Sequence, residues 1–273
     1  MYRLIAFDMD GTLLNSEHEI SEKTASMIHK AAEAGKTVAF CTGRAPAELL
    51  DYPKQVPDVR YAICASGSIL WDIREQKIIR ERPLSCDTVL SCISCADGFD
   101  HMIQMFTKDV LFPEFTHERL EETGLLCYSE LYDRIAKQIP DFENAYKETP
   151  FPVDKLSIHL TSLSDYAAVR NLIEAKKLPV ALKFSNDQSV EITAEGVTKG
   201  ETLSYLCDHL GIPVSESIAV GDNDNDTDAL LTAGLGIAVG NACESIKKIA
   251  GAVVSDNDHD GCAEAIEKYL LNR

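Results

Sequence analysis

Leu4-Ile5-Ala6-Phe7-Asp8-Met9-Asp10-Gly11-Thr12 is an apolar run that stops abruptly at two carboxylates, and its reading decides the fold. A run of this length, bounded by Gly11, suits a strand buried on both faces of a parallel sheet. The acids then lie at the carboxyl end of the strand, the edge where open α/β sheets take their ligands. Asp8 and Asp10 are two apart, so regular strand geometry aims both at one face, and Gly11 lets the chain turn away at once. Two close carboxylates repel unless a cation or a proton separates them. Taken alone, a D-x-D-G run is equally a strand followed by a polar turn.

The flanking chain repeats the pattern. Ser21 is a natural N-cap for a helix with Ala25, Ile28, Ala31 and Ala32 on one face, ended by Gly35. Residues 37–41 form a second apolar run, stopping at Thr42-Gly43-Arg44 before a helix expected through Leu50. A hydroxyl followed by glycine at a strand-to-helix junction is a natural oxyanion site, because free amides and the helix dipole add to the hydroxyl. Residues 61–65 give a third strand, ending at Ser66-Gly67, and residues 69–71 and 77–79 a hairpin around Arg74-Glu75-Gln76.

From about Pro83 the texture changes. A helix from Ser85, short strands at 101–107 and 110–112, an irregular acidic stretch from 115 to 152, a half-exposed strand at 155–160, a helix from Ser164 and a strand at 180–184 read as an α+β unit. The expected division is therefore a first core part at 1–83, an inserted domain at 84–186 and a second core part at 187–273. Val190-Glu191-Ile192 is read as the strand with which the α/β rhythm resumes. Lys199 then opens a helix that ends near Gly211, against the helix dipole, a penalty that a nearby anion would remove. Residues 217–221 are a fourth core strand running into Asp222-Asn223-Asp224-Asn225-Asp226. Five polar residues are costly in a tight loop, and metal coordination is the compensation. The glycine and distant glutamate of an EF-hand loop are missing there. A strand at 235–239 and helices at 244–250 and 261–271 complete the chain.

Composition sets the class. A chain of 273 residues with 45% hydrophobic and 26% charged residues has the balance of a globular protein with a full core. Its formal net charge of -18 opposes nucleic acid and anionic membrane as partners. With no signal-type h-region and no apolar stretch long enough to span a bilayer, the cytoplasm is the expected location. Nine scattered cysteines, mostly within apolar segments, are read as reduced thiols, the Cys92 and Cys95 pair as neighbours on a helix.

Strand ends thus supply two carboxylates, a hydroxyl, a lysine at a helix start and another carboxylate. Hard oxygen ligands favour magnesium, which offsets carboxylate repulsion and bridges phosphate oxygens, while Thr42 and Lys199 hold the remaining oxygens. Phosphoryl transfer to an aspartate is the simplest chemistry for such a set.

With these residues in place the chain resembles the haloacid dehalogenase superfamily, and within it the Cof-type phosphatases with a large inserted C2-type cap. Asp8-Met9-Asp10-Gly11-Thr12 matches the first motif, Thr42-Gly43-Arg44 the second, Lys199-Gly200 the third, and Gly221-Asp222 with Asn225-Asp226 the fourth. The resemblance implies a Rossmann-like parallel-sheet core with helices on both faces plus an α+β cap. It implies Asp8 as the nucleophile that forms an aspartyl-phosphate, and Asp10 as the acid that protonates the leaving group and later activates water. Magnesium would be held by Asp8, the main-chain carbonyl of Asp10, and Asp222. Phosphate would be held by the Met9 amide, Thr42, Gly43, Lys199 and Asn225, with Asp226 supporting the loop. Ser66, where family members often carry Asn, and Ala229, where they carry a larger apolar residue, depart from the pattern. The implied partner is a small phosphorylated metabolite, a sugar, nucleotide or cofactor phosphate, and the implied state a monomer or weak homo-oligomer. A phosphomutase on the same core and a silent phosphate-binding protein are the alternatives. A receiver domain is disfavoured, since its acidic pair ends the first strand and its phosphorylated aspartate a later one.

Overall fold

A computed structural model describes residues 1–185 and 189–272. Five strands come first: β1 (Leu4–Phe7), β2 (Thr37–Cys41), β3 (Tyr61–Cys64), β4 (Ile69–Asp72) and β5 (Lys77–Glu81). Six follow: β6 (His101–Phe106), β7 (Val110–Phe112), β8 (Ala136–Gln138), β9 (Lys155–Leu160), β10 (Val180–Ser185) and β11 (Ser189–Ala194). The last three are β12 (Ser217–Gly221), β13 (Leu235–Ala238) and β14 (Ala252–Val253). They form an eight-stranded sheet in the order β14-β13-β12-β1-β2-β3-β4-β5 and a six-stranded sheet in the order β10-β11-β9-β6-β7-β8.

The first sheet is parallel from β14 to β3, and β4 and β5 extend it, with β4 antiparallel to β3. β1 lies inside it, Leu4 pairing with Ser217 on one side and Thr37 on the other. Both of its faces are covered, which is why Leu4, Ile5, Ala6 and Phe7 form an unbroken apolar run rather than an alternating one. Because β12, β1 and β2 run parallel in one register, Asp222, Asp8 and Thr42 all emerge at the same edge. The helix Glu22–Glu33 is capped by Ser21, which accepts from the Thr24 amide, and buries Thr24, Met27, Ile28 and Ala31. The expected face was one residue out of phase at Ala25.

The chain divides into two compact units. The first comprises residues 1–44, 49–80 and 198–273; the second comprises residues 81–197 with the short turn at 45–48. This moves both ends of the expected insert. Residues 190–192 do not resume the parallel core: β11 pairs antiparallel with β10 and β9 in the second sheet. A three-residue apolar-charged-apolar run fits either sheet equally, and only its distant partners decide.

Within the second unit, three helices (His117–Glu122, Ser129–Ile135, Phe142–Glu148) and β8 occupy the stretch read as irregular. They are short, and their apolar residues are few, so no periodicity announces them. β9 is buried along its whole length rather than half exposed. The helix Leu163–Ala175 is capped by Ser162, not Ser164. Cys92 and Cys95 are both buried, and every cysteine in the chain is a free thiol. No helix among the described residues is long and apolar enough to cross a membrane.

One glycine fixes how the first unit closes on itself. After β3 the chain turns through Ala65 and Ser66, both at positive φ, to Gly67 at φ 106. A Cβ on Gly67 would meet the Thr198 carbonyl and stand 2.9 Å from the Lys199 nitrogen, while the Gly67 carbonyl accepts from the Thr202 hydroxyl at 2.6 Å. Gly67→Ala therefore forces the start of the Lys199 helix away and strains a left-handed backbone. The expected cost is about 1–3 kcal/mol of unfolding free energy, read by denaturant titration, together with a loss of activity larger than the stability change explains.

Candidate active site

β1 ends at Phe7, so the strand rule that would aim Asp8 and Asp10 at one face does not reach them. The chain instead winds through a wide turn over Met9–Leu13, with Gly11 at φ 77, and the two acids part company. Asp8 stays in the interior, 6% exposed, and accepts from the Lys199 ammonium at 2.6 Å. Asp10 reaches the Arg44 guanidinium, which donates from Nε and Nη2 at 2.8 and 2.5 Å. Arg44 is itself set against the Tyr52 ring, 5.4 Å from its centroid.

Lys199 occupies the first turn of the helix Lys199–Leu210, capped by the Thr198 side chain. It is completely buried and donates to Asp8 and to Asp226, each at 2.6 Å. Burial alone would lower its pKa, but the Asp226 and Asp8 carboxylates overcome that and hold the ammonium well above its usual value. The other oxygen of Asp226 accepts the main-chain amides of Asp222 and Asn223 at 3.1 and 3.3 Å. Gly221 leaves the room, since a Cβ there would overlap the Asp226 carboxylate. Asp226 thus joins the lysine to the Asp222 loop.

Asp222 is held on its other side by the Thr12 hydroxyl, which donates at 2.7 Å. Asp8, Asp222 and Asp226 bring carboxylate oxygens within 4.8 Å of one another. Three negative charges face one positive charge, Lys199, so the group carries about two uncompensated charges when fully ionised. Burial first, and then the Asp226 charge, pushes Asp8 well above the ordinary carboxylate range. Burial likewise raises Asp222 to about 6, against the Thr12 hydrogen bond. An all-oxygen, doubly negative, partly dehydrated pocket fits a hard divalent cation. Asp10 differs. Burial would raise it, yet the Arg44 hydrogen bonds and charge more than offset this and hold it below its ordinary value.

Two further side chains face this edge. The Thr42 Oγ1 accepts the Arg44 amide at 3.2 Å, which leaves the hydroxyl proton to donate elsewhere. The Asn225 Oδ1 is buried with no hydrogen-bond partner among the described residues. Such an orphan is costly, and an amide turned end for end presents an N–H at the same place, the form an oxyanion requires.

Thr42-Gly43 is not followed by the expected helix. Only a single turn, Pro46–Leu49, forms, and the Ala45 amide is taken at 2.6 Å by the Glu48 carboxylate. No helix dipole is therefore available there, and an anion near Thr42 depends on hydroxyl and amide groups alone. Met9 is buried, as are Ser66 and Ala229. Ser66 donates its amide to the Thr42 carbonyl at 3.1 Å, a tie inside the core. The Arg44 grip on Asp10 and the Thr12 bond to Asp222 were missed by sequence reasoning. Both residues stood inside quoted motifs, but their contacts depend on the turn at Gly11.

The family model of the haloacid dehalogenase-like hydrolases matches residues 5–266. The chain belongs to that family. This hydrolase is 28% identical over 288 residues to the phosphatase YwpJ of Bacillus subtilis, covering 98% of the chain and 100% of that protein. It is 29% identical over 251 residues to the HMP-PP phosphatase of Serratia proteamaculans, covering 91% and 88%. A solved haloacid dehalogenase-like hydrolase from B. subtilis superposes with a TM-score of 0.87 at 26% identity, covering 98% of this hydrolase and 99% of that chain. Relatives of this kind bear the names of phosphatases, and the hydrolase shares their fold from end to end.

The raised carboxylates give a direct test of the hydrolase without metal. A folded-state pKa above the unfolded one means that the folded protein binds the extra proton. Its penalty is thus absent at low pH and grows as pH rises through about 4 to 6. In chelator, Asp222→Asn should melt at a higher temperature than the wild type at pH 7.5, with the gap narrowing as the pH falls through about 6 and closing only near pH 4. Added magnesium should narrow the gap at pH 7.5 by stabilising the wild type alone. Calorimetry or dye melting in both conditions reads it, and a gap independent of pH would refute the charge assignment.

Proposed function

We propose that this hydrolase is a magnesium-dependent phosphatase that cleaves monoesters of small metabolites through an aspartyl-phosphate on Asp8. The observation that carries the reading is the buried triad in which Lys199 is held between Asp8 and Asp226, with Asp222 alongside. Such a pocket suits a phosphoryl group only if a divalent cation offsets the carboxylates. Asp8, Asp222 and the Asp10 carbonyl would hold that cation, which would draw charge from the phosphate oxygens. Thr42, Lys199, Asn225, Gly43 and the Met9 amide would hold the same oxygens from the other sides. In the first step an Asp8 oxygen forms a bond to phosphorus while the ester P–O bond breaks. Asp10 gives its proton to the departing oxygen. In the second step water adds to phosphorus, giving a proton back to Asp10, and the bond to Asp8 breaks.

Arg44 holds Asp10 in its ionised form, the form needed to take a proton from water. Donating a proton to a leaving group works against that grip. Esters whose leaving group needs little protonation should therefore react faster in the first step. The inserted unit is the element we propose to choose among leaving groups. Relatives named for HMP-PP, for pyridoxal phosphate and for 5-amino-6-(5-phospho-D-ribitylamino)uracil support small phosphorylated metabolites as the substrate class.

The two acids separate in an experiment. Asp8→Asn removes the attacking oxygen, so turnover of an aryl phosphate should fall to background and no phosphoenzyme should form. Asp10→Asn should instead release about one equivalent of product quickly and then nearly stop, with steady turnover about 10²–10⁴-fold lower. Rapid mixing with intact-mass analysis reads both. Phosphate accumulating on the Asp8→Asn protein, or undiminished steady turnover by Asp10→Asn, would sink this division of labour. Chelator should abolish wild-type activity and magnesium restore it.

A further inference from the structure

The loop that carries Asp10 away from β1 is strapped down by residues from the last part of the chain. Asn241, in the turn after β13, donates its Nδ2 to the Gly11 carbonyl at 2.7 Å, and its Oδ1 accepts the Asn257 amide at 3.1 Å. Asn257 donates its own Nδ2 to the Leu14 carbonyl at 3.0 Å. Farther along, Asp258 accepts the Ser16 amide and hydroxyl at 2.8 and 2.7 Å, and Asp260 accepts the Ser21 hydroxyl at 2.6 Å.

The sequence of this region invites another interpretation. Asp256, Asp258, Asp260 and Gly261, with Glu267 behind them, spell the D-x-D-x-D-G-x5-E pattern of a calcium loop. The acids do not converge in that way. Among the described residues the metal-competent group is Asp8, Asp222 and Asp226, whereas Asp258 and Asp260 hold serines and Asp256 accepts the Asp258 amide.

We infer that Asn241 and Asn257 are positioning residues for Asp10, an inference that rests on the phosphatase reading above. Gly11 is the residue after Asp10, and it is fixed from both sides. At φ 77 it stands so close to Asp222 that a Cβ would lie 2.8 Å from a carboxylate oxygen. Its carbonyl belongs to the peptide that leads into Thr12, whose hydroxyl holds Asp222. Asn241 uses both ends of its amide, one on that carbonyl and one on the Asn257 backbone, so the strap has one orientation. A neutral amide also adds no charge beside three carboxylates, which a lysine or aspartate would. Without the strap the turn can relax, and the Asp10 carboxyl loses its set distance to the departing oxygen, while Asp8 at the end of β1 and Lys199 on its own helix keep their mutual contact.

The test exploits leaving groups. Wild type, Asn241→Ala, Asn257→Ala and Asp8→Asn are assayed with magnesium on an aryl phosphate and on an alkyl phosphate, reading kcat/KM, which reports the steps up to loss of the leaving group. Thermal melting is followed on the same samples. An alkyl leaving group needs the proton of Asp10 and an aryl one barely does. The strap variants should therefore lose about ten- to a hundredfold on the alkyl ester and less than about threefold on the aryl ester. Parallel losses on both esters, or none on either, overturn the inference while leaving the phosphatase reading intact. A wild type inactive on both esters, or an active Asp8→Asn, overturns that reading and with it the role of the strap. If Asn241→Ala does not fold, Asn257→Ala alone decides, because it removes the second hold on the same turn, at the Leu14 carbonyl, while its main-chain amide still orients Asn241.

Discussion

A lysine ammonium with no exposed surface is the constraint on which the site depends. Lys199 sits at a helix start, where the dipole disfavours it, and in an interior where hydration is lost. Only the two carboxylates that touch it make the position tenable, and they come from distant parts of the sequence: Asp8 from just past β1, Asp226 from the loop after β12. The helix must approach closely enough for both contacts, which Gly67 permits by offering no side chain where the Thr198 carbonyl passes. Removing Lys199 would leave its carboxylates without their one counter-charge, whereas removing either carboxylate that touches it still leaves the ammonium a partner.

The same accounting explains the electrostatic division between the two neighbouring acids. Asp8 shares a crowded, dehydrated space with Asp222 and Asp226 and resists ionisation there. Asp10, two residues on, is held by two nitrogens of the Arg44 guanidinium. The turn at Gly11 creates this difference by sending one side chain inward and the other sideways. The chain's charge of -18 adds a contrast of scale: an anionic ester is repelled at long range and held only by the short-range groups of the site.

Much of this was legible in the sequence, for a physical reason. Strands buried on both faces must be apolar throughout, and they must stop where the sheet edge meets polar groups, so Asp8, Thr42 and Asp222 could be read from their places after apolar runs, and Lys199 from its unfavourable place at a helix start. What stayed hidden was set by partners distant in sequence. Val190 to Ile192 has nothing in its three residues to say which sheet it joins. The helix expected after Thr42 fails because Pro46 and the Glu48 side chain settle for a single turn. The direction of Asp10 could not be read because the strand rule lapses once the chain leaves β1. The short helices of the second unit bury too little surface each to leave a periodic trace.

The placement of β1 has a consequence for how the chain comes into being. Its neighbours are β2, made soon afterwards, and β12, which lies more than two hundred residues later. On a ribosome the central strand waits with one edge bare while nearly the whole of the second unit, continuous over residues 81–197, is synthesised and can collapse by itself. Closure of the first sheet is thus a late, long-range event with a large loop to order, the kind of step that sets slow folding. Until it happens Asp8 has neither Lys199 nor Asp222 beside it. Chemistry and completion of the fold therefore arrive in the same step, and a truncated chain presents a bare strand edge instead of a weakened enzyme.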